Sequence, residues 1–139
     1  MWKYAPKEVN NKYVIRMFVL YHDPSVMPRL KHSVGLQKGL VGIINAFGVK
    51  SQTRQNNIVI THEFLHTVGA SDKCDGLGNP VMPDGLGNPE QIPLYPQKKA
   101  EIMARRRALN ATLSEMLTNL KRIVVGKKTA TEIARLSDI

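Results

Sequence analysis

The sequence is poor in cysteine and in long apolar runs. Its 139 residues include a single cysteine, Cys74, so an internal disulfide is excluded and nothing indicates an oxidising compartment. The apolar run at residues 13–21 is interrupted by Arg16 and is too short to cross a bilayer, and no secretory signal is visible. The sequence therefore predicts a cytoplasmic protein without membrane contact. Its length predicts one domain over residues 1–139, with a core that needs no disulfide.

Acidic residues are also scarce: 11 Asp and Glu stand against 20 Lys and Arg, which gives a formal net charge of +9. Such a charge can indicate a nucleic-acid partner. Here the basic residues are spread over both ends of the chain, and Arg105, Arg106 and Arg107 form the only dense cluster. This distribution favours a solvated basic surface.

The stretch from His62 to Asp72 has the pattern HExxHxxGxxD. On a helix, His62 and His66 project from one face, and their neutral imidazoles can supply two nitrogen ligands to one zinc ion. Glu63 then lies beside the metal, where its carboxylate can take a proton from a bound water. The pattern predicts a helical zinc site with Glu63 as the general base.

A catalytic zinc takes a third protein ligand and keeps one position open. Gly69 can adopt the left-handed conformation that ends a helix, so the chain can turn sharply and bring Asp72 back to the metal. The softer ligand Cys74 and the neighbouring Asp75 are the alternatives at this position. We predict that the metal ligands are His62, His66 and Asp72.

Four other polar residues could belong to the site, and for each of them another role is favoured. Lys73 follows the third ligand and is expected to be exposed. His22 and His32 have no partner at metal-binding spacing, which is typical of loop or surface residues. Tyr95 is a candidate oxyanion donor, although a packing role in its proline-rich loop is favoured.

The pattern of apolar and turn residues predicts several elements before the motif. An irregular lead-in at residues 1–11 is followed by an interior, central strand at 13–21 and a short edge strand at 31–38. A second interior strand is predicted at residues 40–47, with a helix as its alternative. The motif helix follows at residues 58–68 and is capped by Asn56 or Asn57. The edge strand is placed to bind an extended substrate.

The second half is predicted to begin with turns and to end with helices. Asp75-Gly-Leu-Gly-Asn-Pro recurs nine residues later at Asp84, but it lacks the oxygen-ligand spacing of calcium sites. Residues 98–122 contain good helix formers and apolar residues at helical spacing, so they predict a long helix, interrupted near 103–107. A short helix is expected at residues 129–136.

With its motif and its order of strands and helix, the sequence resembles the metzincin-like zinc metallopeptidases, and in particular small bacterial and phage predicted proteases whose motif continues HTxGAxDK. The residues that carry this likeness are His62, Glu63, His66, Gly69, Asp72 and Lys73. The resemblance implies an α+β fold: a small twisted mixed sheet on the active-site helix in residues 1–70, and a loop-rich lower part with C-terminal helices in residues 71–139. It also implies a methionine turn beneath the metal, for which Met103 is favoured over Met82.

The chain departs from the family in two respects. Most members use a third His where this chain has Asp72, and they begin with a strand and a helix for which too few residues precede Tyr13. The chain therefore resembles an N-terminally shortened member. The expected activity is hydrolysis of a peptide or protein substrate with zinc as cofactor. The alternative is an inactive, zinc-stabilised binding module that contacts nucleic acid through its basic C-terminal region, where residues 126–138 resemble the opening of a helix-turn-helix.

Overall fold

The computed structural model of the protein describes residues 14–135. The predicted lead-in over 1–11, the first residue of the strand at 13–21 and the last residue of the helix at 129–136 lie outside the described residues. Within the described residues, seven strands and two α-helices follow one another in this order: β1 Arg16–His22, β2 Val34–Leu36, β3 Val41–Phe47, α1 Thr53–Thr67, β4 Ala100–Glu101, β5 Arg106–Ala108, β6 Ser114–Met116, β7 Ile123–Val124 and α2 Lys127–Ala134. The fold class is α+β, as the sequence predicts.

The larger sheet has three strands in the order β1-β3-β2. β3 is central, because β1 pairs with it in parallel and β2 pairs with it antiparallel, with Gly35 opposite Gly42. The mixed sheet, the strand within 40–47 and the short edge strand within 31–38 are thereby confirmed.

The prediction that residues 13–21 form an interior, central strand is wrong. Among residues 14–135, β1 pairs with β3 alone, and the side chains of Leu20 and Tyr21 are 49% and 64% exposed. β-branched and aromatic residues favour an extended chain wherever one face can pack, so an apolar run does not by itself require cover on both faces.

Helix α1 begins earlier than the sequence indicates. A 3₁₀ turn at Lys50–Gln52 leads directly into Thr53, and Gln52 occupies the N-cap without a side-chain hydrogen bond. The prediction that Asn56 or Asn57 caps the helix is therefore wrong. The Asn56 side chain lies within the helix and donates to the backbone carbonyl of Phe47, which ties α1 to the end of β3.

The edge strand β2 lies directly against α1 because it contains Gly35. A Cβ atom at this position would overlap the backbone carbonyl of Glu63 and touch the Cβ of His66. Only glycine permits so close an approach of strand and helix. The edge of the sheet consequently lies beside the two motif residues.

Beneath α1, the core joins the helix to the second half of the chain. Ile58 and Leu65 of α1 pack with Ala70, Ile102 and Met103, all of them buried. The helix thus has the sheet on one side and the lower part of the domain on another.

The long helix predicted for residues 98–122 is wrong. This segment forms the short strands β4, β5 and β6 and a 3₁₀ turn at Leu120–Arg122. Two turns explain the difference. The Asn110 side chain accepts the backbone N–H groups of Thr112 and Leu113 and so closes the β5–β6 hairpin. The carboxylate of Glu101, fully buried, accepts the N–H of Met103 and holds the chain in a tight turn.

The C-terminal helix is confirmed as α2, beginning two residues before the predicted start. Gly126 is its N-cap. Glu101 anchors this end of α2, because its carboxylate also accepts the N–H of Gly126 and the hydroxyl of Thr129. Within residues 14–135 no helix has the length and apolar character that crossing a membrane requires.

Candidate metal centre

The two motif histidines face each other on the buried side of α1. The Nδ1 atom of His62 lies 3.0 Å from the backbone carbonyl of Ile102, and Nδ1 of His66 lies 2.8 Å from that of Ala70. A carbonyl oxygen can only accept, so each Nδ1 carries the hydrogen and each neutral ring presents a bare Nε2. These two Nε2 atoms are 3.0 Å apart. When both rings are neutral, two lone pairs therefore point into one small space.

Asp72 completes the cluster, as the sequence predicts. Its Oδ1 lies 3.3 Å from Nε2 of His62 and 3.2 Å from Nε2 of His66. The three donor atoms form a nearly equilateral triangle, which could hold a metal ion. A cation is the natural partner of two imidazole lone pairs and a carboxylate, because each of them would otherwise repel the others.

The turn that returns Asp72 to the histidines is built around Gly69. This glycine has φ of 100°, its N–H bonds to the carbonyl of His66, and the N–H of Ala70 bonds to the carbonyl of Leu65. This pair of bonds is the Schellman motif, which ends a helix at a left-handed residue. Leu65 and Ala70 also pack together in the core. The predicted role of Gly69 is confirmed.

Burial sets the protonation of the site. It lowers the pKa of His62 to about 4; the hydrogen bond to Ile102 opposes this shift and the charge of Arg105 adds to it. His62 is therefore neutral at pH 7, which is the form that binds a metal. Burial also raises the pKa of Glu63, whose side chain is almost fully covered, while the charges of His66 and Arg105 work in the opposite direction.

The cluster opens into a cleft of about 500 Å³. One wall is α1, and the other comprises the edge strand with the loop before it; the lining includes Lys31, His32, Ser33, Val34, Gly35, Asn45, His62, Glu63, His66, Asp72 and Arg105. Tyr95 is not part of this lining, so the structure gives no support for its role as an oxyanion donor.

Arg105 is the site residue that sequence analysis missed. It lines the cleft and its charge acts on both His62 and Glu63. Its backbone has φ of 61°, a conformation that residues other than glycine seldom adopt and that is found preferentially at functional sites. The sequence did not indicate this role, because a run of three arginines usually indicates a solvated surface.

The alternative third ligands lie outside the donor cluster. Cys74 forms an isolated bridge with Pro80 and does not join the donor cluster. The Asp75 carboxylate accepts the N–H groups of Leu77 and Asn79 within its own turn. Asp72 is thus the third residue that the structure brings to the histidines.

The remaining histidines also stay outside the cluster, as predicted. His22 is the last residue of β1, and its Nε2 atom lies 2.9 Å from Oδ1 of Asn45 in β3. His32 is an exposed loop residue at the cleft wall. Neither is a candidate ligand.

The prediction that Lys73 is exposed is wrong. Only 4% of this residue is accessible to solvent, because its ammonium group pairs with Glu132 of α2 at 2.8 Å. A lysine is buried when a carboxylate compensates its charge, and this partner lies 59 residues away in the sequence.

The two methionines considered for the turn beneath the metal differ sharply in burial. Met103 is 0% exposed and follows Ile102, whose carbonyl orients His62. Met82 is 59% exposed. Of the two, Met103 is the one that lies in the core, next to the residue that contacts His62.

Comparisons of the chain with protein-family models, with curated proteins and with solved structures found no match.

Proposed function

We propose that the protein is a zinc-dependent peptidase of metzincin-like type that hydrolyses peptide bonds. The observation that carries this proposal is the convergence of His62 Nε2, His66 Nε2 and Asp72 Oδ1 at an open cleft, with Glu63 next to the first ligand. A cytoplasmic location and a peptide or protein substrate remain predictions of the sequence.

The donor set suits zinc. Ligands about 2.0–2.1 Å from a tetrahedral ion lie roughly 3.3–3.4 Å from one another. The three distances of 3.0, 3.2 and 3.3 Å between the donor atoms are close to this value. Three protein ligands leave one position of the tetrahedron free, as in catalytic rather than structural sites. Bound zinc would supply Lewis acidity, which lowers the pKa of a water molecule to about 7 and polarises a carbonyl group.

Glu63 has the properties of a general acid and base. Its carboxylate is buried beside the ligands, and burial raises its pKa toward the range in which a group can both accept and return a proton. We assign it two steps: it takes the proton of the attacking water and then delivers a proton to the leaving amine.

Arg105 is placed to stabilise negative charge. Arg105 lines the cleft together with Glu63, and its charge acts on both His62 and Glu63. A fixed cation near a developing oxyanion lowers the energy of a tetrahedral intermediate, and we assign Arg105 this role in place of Tyr95.

The edge strand β2 offers a binding surface for an extended peptide. It pairs with β3 along one side, and its residues Val34 and Gly35 line the cleft above the ligands. A substrate that adds as a further strand would be held by its backbone, with its scissile bond over the metal.

The second candidate, a module that binds nucleic acid, receives less support. Arg106 bonds to Ser114 and Arg107 to Glu115, so two members of the arginine cluster are engaged within the β5–β6 hairpin. In the described part of the chain, α2 is followed by no second helix that could serve for recognition.

The proposal is tested by loading the purified chain with zinc and incubating it with an unstructured protein substrate. We expect cleavage that stops with a chelator, returns with zinc and is absent from the Glu63→Gln variant. Zinc binding without cleavage of any substrate would contradict the peptidase assignment and favour the inactive module. Tight, salt-sensitive binding of DNA would favour the nucleic-acid module.

A further inference from the structure

Helix α2 bonds to the three-residue segment that contains Asp72. The carboxylate of Glu132 accepts the backbone N–H of Ser71 at 3.0 Å, its hydroxyl at 2.8 Å and the ammonium of Lys73 at 2.8 Å. The ammonium also donates to the carbonyl and the hydroxyl of Ser71, at 2.7 and 2.9 Å. All three of its N–H bonds are therefore used, and the network is closed.

The same segment is fixed on its other side. The N–H of Lys73 donates to the carbonyl of Met103, and the carbonyl of Lys73 accepts from Val81. Asp72 lies between two residues that are held in this way, while its own side chain is 56% exposed. The backbone of Asp72, from which its carboxylate extends to the histidines, is thus held by its neighbours.

The other end of α2 reaches the first histidine. Glu101 bonds to Gly126 and Thr129 at the start of the helix and to the N–H of Met103. The residue before Met103 supplies the carbonyl that orients His62. One short helix is thereby connected to two of the three proposed ligands by two carboxylates, of which that of Glu101 is fully buried and that of Glu132 is partly exposed.

From these contacts we infer that α2 is a brace for the metal site, in which Lys73 and Glu132 act as positioning residues that hold Asp72 in reach of the metal. This inference rests on the proposed zinc site and adds a dependence on the C-terminal helix. Groups that orient metal ligands from behind typically change metal affinity 10- to 100-fold when they are removed.

The coupling must act in both directions. If docking of α2 strengthens metal binding, then metal binding strengthens docking of α2 by the same factor. A purely structural ion pair between Lys73 and Glu132 would stabilise the fold without this reciprocity, so the two roles can be separated by experiment.

The test measures the zinc dissociation constant of the full chain by competition with a chromophoric chelator, and the absorption spectrum of its cobalt(II) complex. The variants are Lys73→Met and Glu132→Gln, which remove one charge each with little change of shape. The matched control is Lys128→Met, because Lys128 forms the exposed ion pair of the same helix with Asp84 at 3.3 Å.

We expect the zinc dissociation constant to rise 10- to 100-fold in both variants and to stay unchanged in the control. The cobalt spectrum of the variants should shift toward that of Asp72→Ala. Zinc should also slow amide hydrogen exchange of α2 in the wild-type chain and leave it unchanged in Asp72→Ala. Folded variants with wild-type affinity, spectrum and exchange would overturn the inference.

If Lys73→Met does not fold, Glu132→Asp decides the question, since it keeps the charge and shortens its reach by one methylene group. Unchanged zinc affinity in that variant overturns the brace, and weakened affinity supports it. A wild-type chain that binds no zinc would instead contradict the proposed function itself. The two failures are therefore distinguishable.

Discussion

Replacing Glu63 with glutamine should remove catalysis and leave the metal site intact. The two side chains have the same shape, and the position is 95% covered, so the amide fits where the carboxylate was. Glutamine cannot accept the proton of an attacking water. None of the three donor atoms of His62, His66 and Asp72 belongs to the substituted residue.

The size of the effect follows from the role. A positioned general acid or base contributes about 10²–10⁴ in rate, or roughly 3–5 kcal/mol of transition-state stabilisation. We therefore expect kcat to fall by about 10²–10⁴. Because burial raises the pKa of Glu63, its charge is disfavoured in the folded protein, and a neutral amide should leave the free energy of unfolding at pH 7 equal or higher.

The assay compares wild type and Glu63→Gln for three properties: turnover of a quenched-fluorescence peptide pool, zinc dissociation constant and urea midpoint. Loss of turnover with the zinc affinity and the midpoint retained is the predicted result. Retained turnover in the variant would refute the assignment of Glu63. Parallel loss of zinc would show that the residue serves the metal site rather than the proton transfer.

Further predictions concern the structures that support the site. Met103→Ala should lower the free energy of unfolding by about 2–5 kcal/mol, because removal of a fully buried side chain leaves a cavity beneath α1. Urea denaturation measures this loss, and a value well below the range would contradict the place of Met103 in the core. Gly35→Ala should lower the free energy of unfolding by about 1–3 kcal/mol, because the added Cβ forces β2 away from α1. Gly76→Ala is the control and should lower it less, because a Cβ at that position meets no other atom. Equal effects of the two substitutions would argue against the close approach of β2 and α1. Burial opposes ionisation of Glu132, yet its bonds to Lys73 and Ser71 outweigh this and lower its pKa to about 2. Its contribution is therefore present above the ordinary value of 4.5 and is lost as pH falls toward about 2, so thermal melts of Glu132→Gln should depend less on pH in that window than wild type; parallel curves would contradict the ion pair.

The cluster of donor atoms could be predicted from the sequence because its geometry is local. His62 and His66 are one helical turn apart, and Gly69 determines where the chain turns, so eleven consecutive residues contain all three donors and their spacing. The edge strand was predictable for a similar reason, since turn residues bound it on both sides.

The residues around the cluster could not be predicted in this way. Lys73 is buried because of Glu132, and no local pattern indicates a partner 59 residues away. Arg105 reaches the cleft through a left-handed backbone conformation that follows a turn held by the buried Glu101. Helix propensity in residues 98–122 is overridden by these long-range bonds, which is why good helix formers lie in short strands there.

The most direct test of the central claim is an X-ray absorption spectrum of the chain loaded with an equal amount of zinc, recorded beside that of His66→Ala. The account predicts two imidazole nitrogens and a carboxylate oxygen at about 2.0–2.2 Å in the wild type, with weakened or altered binding in the variant. A sulfur ligand at about 2.3 Å, which would indicate Cys74, or an unchanged spectrum in His66→Ala would contradict it.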